Sequence, residues 1–471
     1  MRFLLSLLLA AALPVLPAGA PVPGSAVPVA AAPDPCASAG ESDFDGDGVD
    51  DAVVGDPFAD VAGADGAETV NGAGAVHVLS GRSGEGAVVT APGPAAGDGF
   101  GWSVRLVHID GDRCADLLVG APYADLPAGE DAGAAYVVYG GTPRDPVRLT
   151  AAEPEADAHF GWSLAARGPL VAVGAPHENV DGVADSGAAH LFETSALDRP
   201  WKISQSTDGV TGNSEVGDMF GWAVELGRLG GTAGELDLAI GLPYENDDGT
   251  GVQAGEGKLD SGAIGVLFDV RKNRGKQVSK KWDLREITEA DAGDRFGYAL
   301  AYGEDGDTSY LAVGAPLGDG ESVKDSGVVQ LFQASSTAEI TPGPTFGQGR
   351  EGVAGDGYGF AVAFSEGGEL RLVVGVPFRG PDQRGSVSLF PVGGGSGRAR
   401  VVDGTGPGER FGWSVAASGN KIVAGAPDRG TSGGVTLLGR NDGAATPAAP
   451  GAGKVPALDR GGSADFGSAT G

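Results

Sequence analysis

An acidic segment near the amino terminus has the spacing of a cation-binding loop. The segment DFDGDGVDD reads D-x-D-x-D-G-x-x-D, with carboxylates at Asp43, Asp45, Asp47 and Asp51. Alternate carboxylates in an extended turn converge on one point, and Gly48 permits the sharp bend. Because Ca²⁺ prefers several hard oxygen ligands, this pattern predicts a calcium site. We expect ligands from the four aspartate side chains and from the backbone carbonyl of Val49.

A second, altered copy of this loop lies in the next repeat. The same offsets from a later glycine are occupied by His108, Asp110, Asp112 and Asp116. Here a histidine replaces the first aspartate and Arg113 replaces the bend glycine, so the three aspartates remain as candidate calcium ligands. The first loop is not an EF-hand, because its position twelve is Val54 and an EF-hand needs an acidic residue there. The alternative for both loops is a solvated acidic turn.

Each acidic loop precedes a signature that recurs along the chain. This signature is an apolar run ending in Gly-x-Pro, with its glycine at Gly55, Gly120, Gly174, Gly241, Gly314, Gly375 and Gly425. A second signature is Phe-Gly or Tyr-Gly followed by an aromatic residue, starting at Phe100, Phe160, Phe220, Phe296, Tyr358 and Phe411. Repetition of this kind indicates an architecture built from one repeated unit.

The unequal copy numbers predict a closed ring. Seven Gly-x-Pro copies accompany six Phe-Gly-aromatic copies, and the first Gly-x-Pro strand has no Phe-Gly strand ahead of it. A lone Phe466-Gly467 lies near the end of the chain. We therefore expect the C-terminal strand to complete the N-terminal repeat. Such closure removes the exposed strand edges of an open array.

Each repeat has room for about four short strands. The run at 117–119 is uninterrupted apolar sequence, as in a strand buried on both faces. The proline of Gly-x-Pro ends the strand because it has no N–H to donate. A strand of alternating character follows, as at 74–79, and no segment has convincing helical periodicity. The predicted fold class is all-β, a seven-bladed β-propeller of four-stranded blades whose ring is closed by the C-terminal strand.

The paired signatures resemble FG-GAP repeats, which occur in the seven-bladed propeller of integrin α-subunits and in secreted bacterial proteins. The resemblance covers about residues 40–471. It implies calcium in the loop ahead of the first Gly-x-Pro strand, and partner binding on the face that carries the loops after Gly-x-Pro. It also implies that the aromatic residue after Phe-Gly packs between blades. We therefore expect core positions for Trp102, Trp162, Trp222 and Trp413.

Composition allows a large folded core and excludes some partners. The 471 residues include 85 Gly and 30 Pro, yet 41% are hydrophobic, so apolar material suffices for a packed core. The formal net charge of −31 disfavours nucleic acids and anionic lipids, which carry charge of the same sign. It is compatible with calcium and with cationic or neutral partners.

The first residues predict export. A basic start is followed by a mostly apolar run to residue 16 and by Ala18-Gly19-Ala20, which fits a signal peptidase site. We predict a signal peptide over 1–20, a disordered Pro/Ala-rich leader over 21–39 and the propeller over 40–471. No later stretch approaches ~20 apolar residues, so we expect a secreted, extracellular protein without a membrane span. Cys36 and Cys114 either form one disulfide or remain thiols.

Two surface features bear on partners. The loops after Gly-x-Pro are long and acidic in five repeats, whereas repeats six and seven have short loops with Arg379 and Arg429, so the rim would be acidic with a basic sector. The recurring Asp-Ser-Gly in these loops is typical of turns. Separately, 271–285 holds seven basic residues. This basic segment either contacts a polyanion or is a solvated edge strand protected by charge.

We predict a calcium-stabilised binding or adhesion module for a protein or a cell-surface glycan, with no catalytic residues and no enzymatic activity. The five histidines are scattered and no phosphate-binding loop is present. The alternatives are a propeller enzyme acting on polysaccharide, as a calcium-dependent lyase or hydrolase, and a structural assembly module. Paired carboxylates with perturbed pKa in one concave pocket would favour the enzyme.

Overall fold

A computed structural model describes most of the chain from Pro35 onward. The described residues are 35–63, 68–82, 86–141, 143–246, 257–287, 289–320, 323–336, 338–366, 368–393, 399–418, 421–439, 445–448 and 469–470. The predicted signal peptide lies outside them, as does most of the predicted leader. The described fold starts five residues ahead of the boundary that we predicted at residue 40.

The first half of the described fold contains seventeen strands. They are β1 (Ala52–Asp56), β2 (Val61–Ala62), β3 (Thr69–Val70), β4 (Ala75–Leu79), β5 (Gly86–Val89), β6 (Ser103–Val107), β7 (Asp116–Ala121), β8 (Ala134–Val138), β9 (Val147–Leu149), β10 (Ser163–Arg167), β11 (Leu170–Ala175), β12 (Ala188–Glu193), β13 (Ala196–Ile203), β14 (Ala223–Gly227), β15 (Asp237–Leu242), β16 (Ala263–Leu267) and β17 (Ser279–Asp283).

The remaining strands follow the same pattern. They are β18 (Ala299–Asp305), β19 (Thr308–Ala315), β20 (Val328–Ser335), β21 (Ala338–Phe346), β22 (Ala361–Ser365), β23 (Arg371–Val376), β24 (Ser386–Pro391), β25 (Arg400–Asp403), β26 (Val415–Ser418), β27 (Lys421–Ala426), β28 (Gly434–Gly439), β29 (Ala445–Ala448) and β30 (Ala469–Thr470). The helical elements among the described residues are two 3₁₀ turns, at Leu284–Glu286 and Gly349–Glu351.

The strands form seven four-stranded antiparallel sheets, which are the blades of a β-propeller. Blade 1 has the order β30-β1-β4-β5, and blades 2 to 7 each take four consecutive strands, from β6–β9 to β26–β29. A short ribbon of β2 and β3 lies in the loop after the first Gly-x-Pro. The predicted all-β seven-bladed architecture is confirmed.

The C-terminal strand closes the ring. In β30, Ala469 and Thr470 pair with Gly55 and Val54 of β1, so the last strand completes the blade that the first strands begin. This is the circular arrangement predicted from the unequal repeat counts. The Phe466-Gly467 pair itself lies outside the described residues.

The two signatures recur together because they interlock. Within blade 2, the residue after the aromatic, Ser103, pairs with Gly120 of Gly-x-Pro. A Cβ on Gly120 would lie 2.0 Å from the carbonyl oxygen of Gly161 in blade 3, so only glycine fits there. The Ser103 hydroxyl also donates a hydrogen bond of 2.8 Å to that carbonyl. The Phe-Gly strand of blade 2 is thereby fixed both to its own Gly-x-Pro strand and to blade 3.

The core lies between blades, and it takes the first aromatic residue of each Phe-Gly signature. Phe100, Phe160, Phe220, Phe296, Tyr358 and Phe411 are at most 1% exposed. The aromatic residue two positions later is only half-buried in every copy. The prediction that Trp102, Trp162, Trp222 and Trp413 are core residues was therefore wrong. Alternation would put both aromatics on one face, but the glycine between them has a positive φ, +100° at Gly101, which turns the second side chain away.

The two cysteines form a disulfide between Cys36 and Cys114. Their Cα atoms lie 5.0 Å apart, and both residues are buried. The bridge joins the segment ahead of the first acidic loop to the acidic loop of blade 2. It closes a loop of 78 residues, which restricts the unfolded chain.

Candidate functional site

The aromatic residues after Phe-Gly form an arc of six contacting side chains around the propeller axis, from blade 2 to blade 7, which we call the aromatic ring. Its members are Trp102, Trp162, Trp222, Tyr298, Phe360 and Trp413. Neighbouring side chains of this set have ring centroids 4.7–5.5 Å apart, and their ring planes are tilted by about 45–51° relative to each other. The six innermost strands that follow these residues position them, because blades 2 to 7 each contribute one aromatic at the same register.

The aromatic ring surrounds the mouth of the central channel on one face. A cavity of about 320 Å³ is lined by the aromatic ring, by Arg410 and by Pro57, Phe58, Pro427 and Asp428. The last four follow Gly-x-Pro glycines, so this is the face that carries the loops after Gly-x-Pro, here named the upper face. A second tier of side chains packs on the ring, with Tyr123 on Trp102 and Tyr244 on Trp222 at 5.3 and 5.4 Å.

Two histidines join the upper face in blade 3. The rings of His159 and His177 lie 4.7 Å apart, edge to face, and both contact Trp162. Burial, together with the neighbouring His177, lowers the pKa of His159 to about 4. His177 is within 3.1 Å of the Asp185 carboxylate. At neutral pH, His159 is therefore an uncharged part of the channel mouth.

The acidic Asp-Ser-Gly segments of the upper face are structural turns. Asp185 has φ of +50°, and its N–H donates to the Asn179 side chain at 3.0 Å. The carbonyl of Ser186 accepts a hydrogen bond of 3.1 Å from the N–H of Phe220 in the next blade. The same backbone conformation and side-chain acceptor recur at Asp260 and Asp325.

The predicted basic sector of the upper face is neutralised. Arg410 pairs with Asp428, Arg429 with Glu409, and Arg379 with Asp403 and Glu351. In addition, the Arg410 guanidinium lies 5.2 Å from the centroid of the Trp413 ring. These short loops do not present free cations, and the rim keeps an acidic character.

The basic segment at 271–285 is paired as well. Arg271, Lys272, Lys276 and Lys281 each contact a carboxylate, on Glu235, Asp269, Asp208 and Glu245 respectively. Arg274 and Lys280 lie over the rings of Trp201 and Trp282. Arg285, the seventh cation, lies 3.5 Å from the Asp283 carboxylate. Because all seven cations have partners of this kind, the charge-protected edge strand is the better interpretation of this segment.

The first acidic loop lies on the opposite, lower face, and its first aspartate holds the loop in shape. Asp43 is fully buried and accepts hydrogen bonds from the N–H groups of Gly46, Asp47 and Gly48 at 2.6–3.2 Å. Gly46 and Gly48 have φ of +79° and +85°, which a residue with a side chain rarely adopts. The loop therefore wraps around one carboxylate.

Three carboxylates of this loop converge. Oxygen atoms of Asp43, Asp45 and Asp51 lie within 4.8 Å of one another. Burial raises the pKa of Asp51 to about 6, and burial together with the charges of Asp47 and Asp43 raises the pKa of Asp45. A divalent cation would offset this crowding of negative charge, so the residues fit the predicted calcium ion.

Asp47 and Val49 lie at the outside of this loop. The Asp47 carboxylate is 3.0 Å from the guanidinium of Arg82, and it accepts a hydrogen bond from the N–H of Val49. Asp47 is therefore not among the converging carboxylates. A ligand role for Asp47 or for the Val49 carbonyl stays a prediction.

The second acidic loop keeps the scaffold but is paired differently. Asp116 accepts N–H groups of Ile109, Asp110 and Gly140, as Asp51 does from Phe44, Asp45 and Gly81. The guanidinium of Arg144 pairs with Asp110. Within the described residues, the carboxylates of Asp110, Asp112 and Asp116 do not form a converging group. Calcium binding by these three residues stays a prediction that the geometry supports less well than binding in the first loop.

Sequence reasoning missed a third loop of this type, in blade 4. Asp237 accepts N–H groups of Leu229, Gly231 and Asp269, and so plays the part of Asp51. The ammonium group of Lys272 lies 3.2 Å from the Asp269 carboxylate beside it. A signal was available, because an aspartate stands four residues ahead of the Gly-x-Pro glycine in all three loops.

Comparisons with known proteins agree with this geometry. A profile of the FG-GAP repeat matches residues 84–139 and 144–192. The chain is 29% identical over 223 residues to integrin alpha-PS2 of Drosophila melanogaster and 34% identical over 157 residues to integrin alpha-7 of Rattus norvegicus. These matches cover 44% and 31% of this chain but only 15% and 13% of the two relatives.

Solved structures align with most of this chain at low sequence identity. A periplasmic gluconolactonase of Pseudomonas aeruginosa aligns over 88% of this chain and 99% of its own, with 14% identity and a TM-score of 0.44. A likeness of this degree carries no information on activity. In the described part of the chain, no helix has the length and apolar character needed to cross a membrane. Its seven blades form a β-propeller, and the matched repeats and relatives show that the chain is similar to FG-GAP repeat proteins and to integrin α-subunits.

Proposed function

We propose that this protein is a secreted binding module whose upper face docks a protein partner, with a cationic side chain of that partner inserted into the aromatic ring. The carrying observation is the unbroken series of six half-buried aromatic side chains around an open cavity. The FG-GAP propeller fold supports a binding or structural role. The chemistry of the channel mouth favours binding, and specifically binding of a cationic group.

The electrostatics of this mouth favour a cation. Aromatic faces carry negative charge density, and a guanidinium or ammonium group over them gains about 0.5–2 kcal/mol. The chain itself uses this contact, since Arg410 and Arg295 lie over Trp413 and Tyr244. The net charge of −31 adds a long-range attraction for basic partners.

Calcium and the disulfide stabilise this module at its lower face. Both belong to the segment 36–51, which connects the seam of the ring to blade 2. A disulfide persists in oxidising compartments, which supports the proposal that the protein is exported. Integrin-like FG-GAP domains are typically extracellular.

The test is a titration with a matched pair of small probes. N-acetyl-arginine amide carries the guanidinium, and N-acetyl-citrulline amide is its neutral isostere. We expect a saturable change in tryptophan fluorescence with the first probe only. In the Trp162→Ala variant this change should be lost, with the folded state verified by thermal unfolding.

The control variant is Trp201→Phe. Trp201 lies in β13, away from the aromatic ring, and is already covered by Arg274. Its replacement should leave the titration unchanged. Equal responses to both probes, or a response that survives Trp162→Ala, would contradict the proposed docking site.

A second candidate function, cleavage of polysaccharide, has one observation in its favour. Glu225 and Glu366 line a cavity of about 230 Å³ at the lower end of the channel, and burial raises the pKa of both. Two carboxyl groups with raised pKa in one cavity are compatible with general acid–base chemistry. This candidate predicts that the parent protein releases soluble fragments that accumulate with time, and that the Glu225→Gln variant releases none.

A further inference from the structure

The bore of the channel is lined by small side chains, with a few charged exceptions. Five residues after the first aromatic of the signature, blades 5, 6 and 7 carry Ala301, Ala363 and Ala416, which line the lower cavity. Blades 2 and 4 carry Arg105 and Glu225 at the same position. Small residues there keep the bore open, so long charged side chains at this register are not required by the fold.

Two guanidinium groups share this lower cavity. Arg105 and Arg167 belong to adjacent blades and both line it. Arg167 lies over the ring of Tyr302, 4.5 Å from its centroid, and this contact fixes its direction. Within the described residues, neither arginine has a carboxylate oxygen within the 4.0 Å of an ion pair. The same cavity is lined by the carboxyl groups of Glu41, Glu225 and Glu366. Glu225 and Glu366 interact with the guanidiniums at longer range than an ion pair, so the donors of Arg105 and Arg167 are not taken up by a direct ion pair.

The carboxylate of Glu225 completes the arrangement. One of its oxygens accepts a hydrogen bond of 3.1 Å from the N–H of Leu226. The charges of Arg105 and Arg167 act on it, but burial dominates and raises its pKa. Its remaining acceptor capacity faces the same cavity as the two guanidiniums.

We propose that the lower cavity binds a small carboxylate that has a hydrogen-bond donor next to its carboxyl group. Arg105 and Arg167 hold the carboxylate, because guanidinium groups present paired donors that match its two oxygens. Glu225 accepts from the neighbouring hydroxyl or ammonium group of the ligand. The shared chemistry is that of a hydroxy acid, an amino acid or a sugar acid. This inference is independent of the upper-face function.

Calorimetric titration of the full-length protein tests it with four probes. L-lactate, L-alanine and D-gluconate carry a carboxylate with a hydroxyl or ammonium donor on the adjacent carbon, and acetate carries the carboxylate alone. We expect saturable binding of at least one of the first three, with an affinity about tenfold or more above that of acetate. The tightest of the three identifies the class of ligand.

Variants assign the roles of the three charged residues. Arg105→Gln and Arg167→Gln should each weaken binding about tenfold or more, since each removes a charge-assisted hydrogen bond. Glu225→Gln should reduce the preference over acetate while acetate binding persists. Arg199→Gln, on the exposed outer strand β13, is the matched control and should bind as the parent does.

Two results would overturn the inference. One is the absence of saturable heat for all four probes. The other is unchanged affinity in both arginine variants. Misfolding is recognised separately, because a correctly folded variant keeps the melting temperature of the parent.

Discussion

At the scale of single residues, two aspartates of the first acidic loop shape its backbone, whereas Asp45 is the carboxylate best placed to act only as a ligand. Asp43 and Asp51 each bind three backbone N–H groups, so they shape the loop whether or not an ion is present. Asp45 binds one, from Asp47, and is partly exposed. Asp45 is therefore the position at which calcium binding is most cleanly tested.

Calcium should raise the melting temperature, and Asp45→Asn should abolish the rise. At a calcium concentration of about 100 Kd, binding to the folded state alone adds about 2.7 kcal/mol to the free energy of unfolding. The measurement is thermal unfolding in calcium and in EDTA. Asp110→Asn, in the second loop, is the matched control and should keep most of the rise. An unchanged melting temperature of the parent in EDTA would refute calcium stabilisation.

A buried acidic turn predicts a pH dependence of stability. Asp218 is 1% exposed, and burial with the neighbouring Glu245 charge raises its pKa to about 8. The unfolded pKa is about 3.9, so the stabilisation by the protonated form is present below that pH and is lost as pH rises toward 8. Over this range the free energy of unfolding should fall by up to about 1.4 kcal/mol per pH unit. Asp218→Asn should remove this slope.

Denaturant unfolding between pH 5 and pH 8 measures this slope. Asn keeps an acceptor for the Glu215 N–H, which Asp218 now binds at 2.7 Å, so the turn should persist. Asp198→Asn is the control, because its side chain is 81% exposed. A slope that is equal in the parent and in Asp218→Asn would rule out this role.

The residues that form the candidate sites could be predicted better than the orientation of their side chains. The carboxylates of the first loop followed from spacing, because alternation in an extended turn is a local property. Trp162 was misplaced, because the positive φ of Gly161 reverses its direction and sequence alternation does not reveal that angle. Arg144 could not be foreseen as a partner of Asp110, because their contact depends on the hairpin between them.

At the scale of elements, the disulfide ties the segment 36–51 to blade 2. For its loop of 78 residues, chain entropy gives a stabilisation of about 4.5 kcal/mol as an upper limit, and about 2–4 kcal/mol is usual for a disulfide. We expect the Cys36→Ser, Cys114→Ser double variant to unfold at lower urea concentration, with a free energy of unfolding lower by about 2–4 kcal/mol. Reduction of the parent should have the same effect. Coincident unfolding curves would show that the bridge does not stabilise the fold.

The strands could be predicted from the sequence, whereas the disulfide that ties them together could not. Gly-x-Pro marks the end of a buried strand because glycine admits the neighbouring backbone and proline cannot continue the ladder. Whether Cys36 and Cys114 form a disulfide or remain thiols stayed open, because the distance between them depends on how blade 2 packs beside blade 1.

At the scale of the whole molecule, β30 holds the ring closed. Deletion of residues 469–471 should leave β1 as an open edge, because β30 is its partner on the inner side. We expect faster hydrogen exchange at Val54 and Gly55, measured by mass spectrometry, with blade 4 peptides unchanged as the internal control. Unaltered exchange in β1 would show that the ring does not depend on this strand.

The closed ring was predictable from counting. Seven copies of one signature against six of the other left one strand to be supplied from elsewhere, and a circular fold has only the far terminus to offer. The function of the channel was not predictable in this way, because its lining gathers one side chain from each of several distant repeats.

The most direct test of binding without turnover is one assay with two readouts. Purified protein and its Trp162→Ala variant are incubated with polysaccharides and with cell-surface protein fractions, in calcium and in EDTA, and both retained protein and released fragments are measured. We predict retention by a protein fraction that requires calcium and Trp162 and that releases no fragments. Fragments that accumulate with time, or retention that is unaffected by Trp162→Ala, would contradict this account.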